Sequence, residues 1–462
     1  MLLEPKFKTG KTMLIIISDL HLSDGTCGRS ISPDAFYVFA ERLNEMAMRA
    51  SWRENNSYKP ISKINILLLG DILDPLHSTL WLNTKEGEEN YIRPWTDRAN
   101  PRYAKKLKEI TRSILKANKE SIRVLRELQV KIPRSLTSQR DWEKNQDLVD
   151  VELHLRYMIG NHDWYYGIPG TPFDEIRAEV VDALGLAQRP SPFPYEPEDD
   201  AELAKVLSKY NVYARHGDYY DNFNYNAEKG RINSALGDVF TIEMLNRFPL
   251  EVERRLPSIP PEIIENLRGI SHVRPAIATW LWVSSQIRHN NLPESMQKKI
   301  KDIWENIGKE FLELDIVRAA DKLFQFDNVD KLEIALQISK RMPVKTMNDL
   351  ALWLQEEFWG GEISYATEAL KEPAFLEEKA AYIVYGHTHH HEVVPLDTKE
   401  RRTIKDDKLY FNTGTWYTYF DLVINKPYEQ KFVPYQVTSM VAFYKDDQRK
   451  GHRFETISGT FS

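Results

Sequence analysis

Apolar positions along the chain fall in short unbroken runs, and each run closes on a tight polar loop. Residues 13–18 form the first run. It is rich in β-branched side chains and predicts a strand buried on both faces. The same pattern predicts strands over 64–69, ending in Gly70-Asp71, and over 153–159, ending in Gly160-Asn161-His162-Asp163. It recurs over 211–215, ending in His216-Gly217-Asp218, and over 381–385, ending in Gly386-His387-Thr388-His389. A sixth run, 409–411, leads into Asn412-Thr413-Gly414-Thr415-Trp416, and 436–444 reads as a closing strand. Between strands the spacing turns helical. Residues 33–50 are amphipathic, with Ser32 as N-cap and Pro33 at the first helical position. Two long helical segments, 85–149 and 221–378, interrupt the strands, and the second is the size of a domain. Helix-like patterns within it lie around 234–248, 275–289, 293–311 and 347–358, and the prolines of 189–197 mark a connector. The fold class is α/β, where sites gather at the carboxyl ends of strands.

Composition narrows the classes. The 462 residues are 42% hydrophobic and 28% charged, enough apolar material for a sizeable core, which excludes a disordered chain. No run approaches the roughly 20 apolar residues of a membrane helix. The opening MLLEPKFKTGKT lacks the long apolar region of a signal peptide, so the expectation is a cytoplasmic protein with no membrane span. One cysteine, Cys27, excludes a disulfide framework and a Cys-rich zinc site.

The loops after the strands carry the chemistry: Asp19-x-His21, Gly70-Asp71, Gly160-Asn161-His162-Asp163, His216-Gly217-Asp218 and Gly386-His387-Thr388-His389. Each alone is a weak signal. Asp-x-His at a strand end is more often a satisfied loop pair, and Gly-Asp is a turn signal. Their repeated placement after apolar strands is what points to one converging site. Imidazole, carboxylate and amide oxygen together suit a divalent first-row metal such as Mn, Fe or Zn, and two such ions can clamp both oxygens of a displacement.

In their order these pieces resemble the calcineurin-like metallophosphoesterase superfamily, whose pattern is D-x-H, G-D, G-N-H-D/E, H and G-H-x-H. The likeness runs from Asp19 to His389 and leaves out the two helical insertions. It implies a two-sheet β sandwich flanked by helices, one domain over 1–462 interrupted by the basic insertion 85–149 and the aromatic-rich insertion 221–378. It also implies two divalent metal ions, Mn first, with Fe, Zn or Mg as alternatives. By the family's roles, Asp19, His21 and His389 would bind the first metal, and Asp71 would bridge to the second. Asn161, His216 and His387 would bind that second metal. His162 would face the phosphoryl group, and Asp163 would hydrogen-bond His162 and keep it oriented and protonated. The implied activity is hydrolysis of a phosphomonoester, phosphodiester or pyrophosphate by in-line attack of a metal-bridging hydroxide. Asp74-Pro75 and Asp163 depart from the protein Ser/Thr phosphatases, and Asp74 stands where purple acid phosphatases place tyrosine. The set looks closer to the bacterial branch that includes UDP-2,3-diacylglucosamine pyrophosphatases. That type carries Arg in place of His162 and a shorter chain, so its substrate is not carried over.

Charge adds one alternative. The chain sums to −6, yet residues 98–144 hold 14 Lys/Arg against 5 Asp/Glu, a surplus of +9 that leaves −15 elsewhere. This stretch reads as an amphipathic helix with a basic face: either a solvated face beside acidic neighbours, or a wall that steers a polyanion, nucleic acid included. The second reading would make the protein a nuclease on DNA or RNA. A third is a non-catalytic scaffold. His77 is either packed and hydrogen-bonded or within reach of substrate. Arg29 is a surface residue or a phosphate contact, and Cys27 is inert. His390 and His391 point to exposure, and 412–416 to a turn supporting the His389 loop.

Overall fold

In the computed structural model, which describes residues 12–138, 141–142, 145–273, 279–290, 292–323, 364–397, 407–422 and 432–461, the first apolar run forms β1 (Thr12–Ile17). Helix α1 (Pro33–Ala50) follows; the Ser32 hydroxyl accepts from the Asp34 N–H, as the N-cap pattern predicts. Then come β2 (Lys63–Leu69), α2 (Pro101–Ala117), α3 (Lys119–Arg126), β3 (Val130–Pro133) and β4 (Leu148–Met158). The segment 85–149 is thus helical only in part. After α4 (Thr171–Leu184), α5 (Ala201–Ser208) and β5 (Val212–Ala214), helices from Leu236 to Leu323 and two short ones, Ala366–Ala369 and Pro373–Leu376, form most of the described part of the second insertion. The helix expected over 347–358 lies outside the described residues. The chain closes with β6 (Tyr382–Tyr385), β7 (His391–Asp397), β8 (Lys408–Thr413), β9 (Thr418–Leu422), β10 (Phe432–Phe443) and β11 (Phe454–Phe461).

Among the described residues the strands make two sheets. One has the order β11-β10-β1-β2-β4-β3, with β9 also paired to β10; β1, β2 and β4 are parallel, and β10 runs antiparallel to β1. The other has the order β5-β6-β8-β7, its first three strands parallel. The unbroken apolar runs are explained by burial on both faces. Leu14, Ile16, Leu67 and Leu69 pack with Ala214, Val384 and Phe411 in a core that the two sheets share. Met13, Ile15, Ile17, Ile64, Ile66 and Leu68 face the other way, onto α1, α2 and α4. Each such aliphatic side chain contributes about 1.5–3 kcal/mol on burial, so these two layers fix how β1, β2 and β4 end relative to β6. The parallel strands β1, β2, β4, β5 and β6 therefore deliver five polar loops to one region.

The second insertion has its own apolar core, with Phe248, Trp280, Trp282 and Trp304 buried in it. It is tied to the sheet domain by a buried ion pair, Arg93 Nε to Glu243 Oε1 at 2.6 Å, and by the Asn246 amide donating to the Leu76 carbonyl at 2.9 Å. Both Glu243 and Asn246 lie on a π-helical turn, Thr241–Asn246.

Helix α2 docks through Tyr103, Leu107, Ile110 and Ile114. Much of the basic side of α2 and α3 meets carboxylates. Lys108 pairs with Glu175, Arg112 with Glu179, Arg123 with Glu120 and Glu127, and Arg126 with Asp182. Exposed pairs of this kind add little to stability, but they neutralise the face. Among the described residues no helix is long and apolar enough to cross a membrane.

Candidate metal centre

Five loops converge as their strands dictate. Asp19 and His21 follow β1, Asp71 follows β2, Asn161 and His162 follow β4, His216 follows β5, and His387 and His389 follow β6. Asp19, His21, Asp71, His387 and His389 all hold left-handed backbone, with φ from 45° to 68°. Such conformations cost non-glycine residues energy and persist only where the surroundings over-determine them. The loops also pack backbone to backbone. A Cβ on Gly70 would stand 2.9 Å from the Gly160 Cα, and one on Gly386 would stand 2.5 Å from Asp19 Oδ2, so only glycine admits this approach.

Two sets of donor atoms result. In the first, His21 Nε2 and His389 Nε2 face each other at 3.1 Å, and Asp19 Oδ1 lies 3.3 Å from His389 Nε2. In the second, Asp71 Oδ2 is 3.2 Å from His216 Nε2, and Asn161 Oδ1 is 3.0 Å from His387 Nδ1. Asp71 Oδ2 also lies 3.8 Å from His21 Nε2, so this carboxylate stands between the sets. Asp19, Asp71, His21, His216 and Asn161 are buried. The seven side chains expected as ligands are thus brought together.

Their outer partners aim them. The His216 Nδ1–H donates to the Leu69 carbonyl at 2.9 Å, which turns Nε2 inward. His21 Nδ1 donates to Asp74 Oδ2 at 2.9 Å, and His387 Nε2 to Asp221 Oδ2 at 3.0 Å, leaving Nδ1 toward Asn161. Imidazoles that hold a metal are oriented in this way by a second hydrogen bond. The Asn412–Trp416 turn supports the centre from beneath. Asn412 donates to the Gly386 carbonyl at 2.7 Å, and the Thr415 hydroxyl to the Asp19 carbonyl at 2.8 Å.

The residues fit a cation on one further test. Asp19 Oδ1 and His216 Nε2 are buried with no hydrogen-bond partner, and they face each other at 4.0 Å. Buried polar atoms are rarely left so, and a bound ion is one way of satisfying them. These buried His/Asp groups can hold metal ions.

A third cluster is of another kind. His21 Nδ1, His77 Nδ1 and His162 Nδ1 surround Asp74 Oδ2 at 2.9, 2.6 and 3.0 Å, while Asp74 Oδ1 accepts the His77 N–H at 3.0 Å. The carboxylate oxygen itself takes the central place that a cation would need, so this is a hydrogen-bond hub. His77 is accordingly a bonded residue. Its ring lies 5.1 Å from that of His162 in a stacked pair.

The hub corrects the role expected of Asp163. Asp163 does not hold His162. It accepts from the Gly160 N–H at 2.5 Å, the Ile72 N–H at 2.9 Å and the Tyr157 hydroxyl at 2.6 Å, and so ties the Gly70 and Gly160 turns together. Side chains of successive residues diverge at so tight a turn, and Asp74 meets His162 instead. Nor is His162 held protonated: burial outweighs Asp74 and Asp71 and keeps its pKa below the ordinary value. Burial and the charge of Asp71 push Asp163 up to about 7.

Asp74 and Asp221 are the residues that sequence reasoning missed. Asp74 stood out as a departure from two branches of the family, with no role given to it, and Asp221 sat at the edge of a segment set aside as an insertion. Arg29 is exposed and pairs with Glu265 at 3.6 Å. Cys27 is buried, and burial pushes its thiol pKa well up, so it is inert at neutral pH.

Without metal the centre sets a pH dependence. Burial pulls His21 and His216 down, but the surrounding carboxylates outweigh it and hold them up at about 10 and about 9. A raised folded-state pKa gives stability that is complete below the unfolded value of about 6.5 and is lost as pH rises through the folded one. Burial raises Asp19 and Asp71 too, yet their imidazole neighbours hold both below the ordinary carboxylate range. Their contribution is complete above about pH 4 and lost below it. The metal-free protein should therefore melt highest between about pH 4 and 6.5, with Asp163 moving the maximum toward the acid end. Ligand imidazoles must be neutral, so Mn²⁺ should raise the melting temperature more at pH 8 than at pH 6. Melting curves across this range, with and without Mn²⁺, check it; a metal shift independent of pH would remove imidazole from the ligand set.

Comparison with protein-family models, with curated proteins and with solved structures finds no match for the chain. The functional reading therefore rests on the centre itself.

Proposed function

We propose that this chain is a dinuclear metal-dependent phosphoesterase of the calcineurin-like metallophosphoesterase kind, acting on a phosphomonoester, phosphodiester or pyrophosphate. The observation that carries the reading is the pair of buried atoms that no hydrogen bond satisfies, Asp19 Oδ1 and His216 Nε2, 4.0 Å apart, with the Asp71 carboxylate between two donor sets. Asp19, His21 and His389 would hold one ion, and Asn161, His216 and His387 the other, with Asp71 shared. Two dications, when bound, bring the pKa of water toward neutrality and neutralise charge on phosphoryl oxygens. Mixed nitrogen and oxygen donors favour Mn²⁺, Fe²⁺ or Zn²⁺ over a purely oxygen-loving ion.

The protein's own contribution lies in His162. Its ring is 4.6 Å from that of His21 and is more exposed than the ligands. With Nδ1 bound to Asp74, the other ring nitrogen is the one that can meet a phosphoryl or leaving-group oxygen. In the neutral ring that nitrogen carries no proton, so it would accept one and pass it to the leaving oxygen; acid–base work of this kind typically contributes about 10²–10⁴-fold. The nuclease alternative loses ground, because the basic side of α2 and α3 spends much of its charge on Glu175, Glu179 and Asp182.

The test is a substrate panel with Mn²⁺: p-nitrophenyl phosphate, bis-p-nitrophenyl phosphate, a nucleoside diphosphate sugar, and single- and double-stranded DNA and RNA. Hydrolysis of a small ester should be abolished by EDTA, restored by Mn²⁺ and reduced about 10²–10⁴-fold in His162→Ala. Cleavage of nucleic acid alone would promote the nuclease. A protein that binds no metal and cleaves nothing would leave the scaffold.

A further inference from the structure

A row of tyrosines runs outward from the candidate centre. The Tyr365 ring lies nearly parallel to that of His387, with 6.2 Å between centroids and 14° between planes. Tyr220 packs beside Tyr365 at 6.2 Å, Tyr219 meets Tyr220 edge-on at 5.1 Å, and Tyr225 tilts over Tyr219 at 5.1 Å. Tyr219 is the exposed member at 43%, while Tyr365, Tyr220 and Tyr225 are half-buried. The row is not loose. The Tyr220 hydroxyl donates to Glu372 Oε1 at 3.0 Å, and the Tyr225 N–H donates to the Asp221 carbonyl at 2.8 Å. Tyr219 also stands two residues before Asp221, whose carboxylate meets His387.

The charges behind the row are already matched. Arg215 lies 5.0 Å from the Tyr219 ring centroid, but its guanidinium is paired with Glu196 at 3.0 Å and Glu372 at 3.2 Å. Arg231, 5.1 Å from the Tyr225 ring centroid, likewise pairs with Asp218. Among the described residues the row thus offers aromatic faces backed by paired cations. Aromatic faces of this kind bind flat rings by stacking, and every nucleobase has such a face.

We infer that this tyrosine row is a stacking platform for the base of a nucleotide substrate whose phosphoryl group occupies the centre. The inference rests on the phosphoesterase reading and names the substrate class within it. Tyr219 is the exposed rung and would meet the base. A phosphate ester without a base would gain nothing from it.

The matched pair 5′-AMP and ribose 5-phosphate tests this, with p-nitrophenyl phosphate as the activity reference and Mn²⁺ present. The wild type should show a KM for 5′-AMP about tenfold below that for ribose 5-phosphate, the usual size of one stacking contact. Tyr219→Ala should remove the difference and leave the ribose 5-phosphate values unchanged. Tyr219→Trp should restore it, as a merely structural role of the phenol would not. Equal KM values in the wild type, or a preference that survives Tyr219→Ala, would overturn the platform. Hydrolysis of p-nitrophenyl phosphate with neither sugar phosphate cleaved would overturn it too, while the phosphoesterase reading stands. If nothing is hydrolysed, that reading fails. Saturation-transfer NMR then decides the platform on its own, by whether adenosine contacts the wild type but not the Tyr219→Ala protein.

Discussion

Replacing Asp71 by asparagine is expected to abolish hydrolysis while leaving the fold in place. Asp71→Asn keeps the shape of the side chain, and its carbonyl oxygen can still accept the His162 N–H that Asp71 Oδ1 accepts at 2.8 Å. What it loses is the charge that stands between the two donor sets, 3.2 Å from His216 Nε2 and 3.8 Å from His21 Nε2. A residue that merely supports a metal site costs about 10–100-fold when changed. The loss here should exceed the top of that range, because on the dinuclear reading one substitution would weaken the hold on both ions. Metal analysis of the dialysed protein and the rate with p-nitrophenyl phosphate give the two readouts. An Asp71→Asn protein that keeps its full rate and its full metal content would sink the dinuclear reading.

The second large effect is expected at Asp74. Removing this carboxylate leaves the Nδ1 atoms of His21, His77 and His162 and the His77 N–H without their acceptor, and all but His162 are buried. Breaking one partner of a buried charged pair typically costs about 3–5 kcal/mol, and the hub serves three. Burial opposes its charge, yet the imidazoles hold the Asp74 pKa well below the ordinary range, which identifies the carboxylate as the charged partner. Asp74→Ala should therefore lower stability by at least about 3 kcal/mol in urea unfolding of the metal-free protein. It should also weaken Mn²⁺ binding about 10–100-fold through His21. His77→Ala removes one donor and leaves Asp74 bound to His21 and His162, so its effect should be much smaller. Equal losses in the two variants would show that Asp74 acts through His77 alone.

These expectations show which parts of the molecule can be read from residue order. The strands that end at the centre were legible because they are buried on both faces. Residues 13–18, 64–69 and 381–385 match β1, β2 and β6 to within a residue or two. Strands at or near sheet edges were not. β7 is nowhere fully buried, and its short apolar stretch 393–396 is broken by Pro395, which argues against a strand; β3 and the start of β4 lie in a charge-rich stretch where the helical pattern dominates. The candidate ligands were legible because each follows a strand with His, Asn or Asp. The support around them was not. Asp74 meets His162 across 88 positions and Asp221 meets His387 across 166, distances over which spacing carries no signal. Asp163 was misread for the opposite reason, since neighbours in the chain are not neighbours in a tight turn.

The order of the strands in the larger sheet also governs when the protein can first work during its synthesis. β1, made near the start, has β10 as one of its two neighbours, and that strand begins at Phe432. The donors of the centre likewise span Asp19 to His389, and the turn beneath them is supplied by residues 412–416. Closing loops of this length is slow, and no chain that ends before His389 holds the complete set of candidate donors. On the ribosome, β1 therefore waits with an open edge through more than 400 residues of elongation. An open apolar edge is a template for wrong pairing. Chains stalled before β10 should be inactive and prone to aggregate, and metal supplied early should not rescue them.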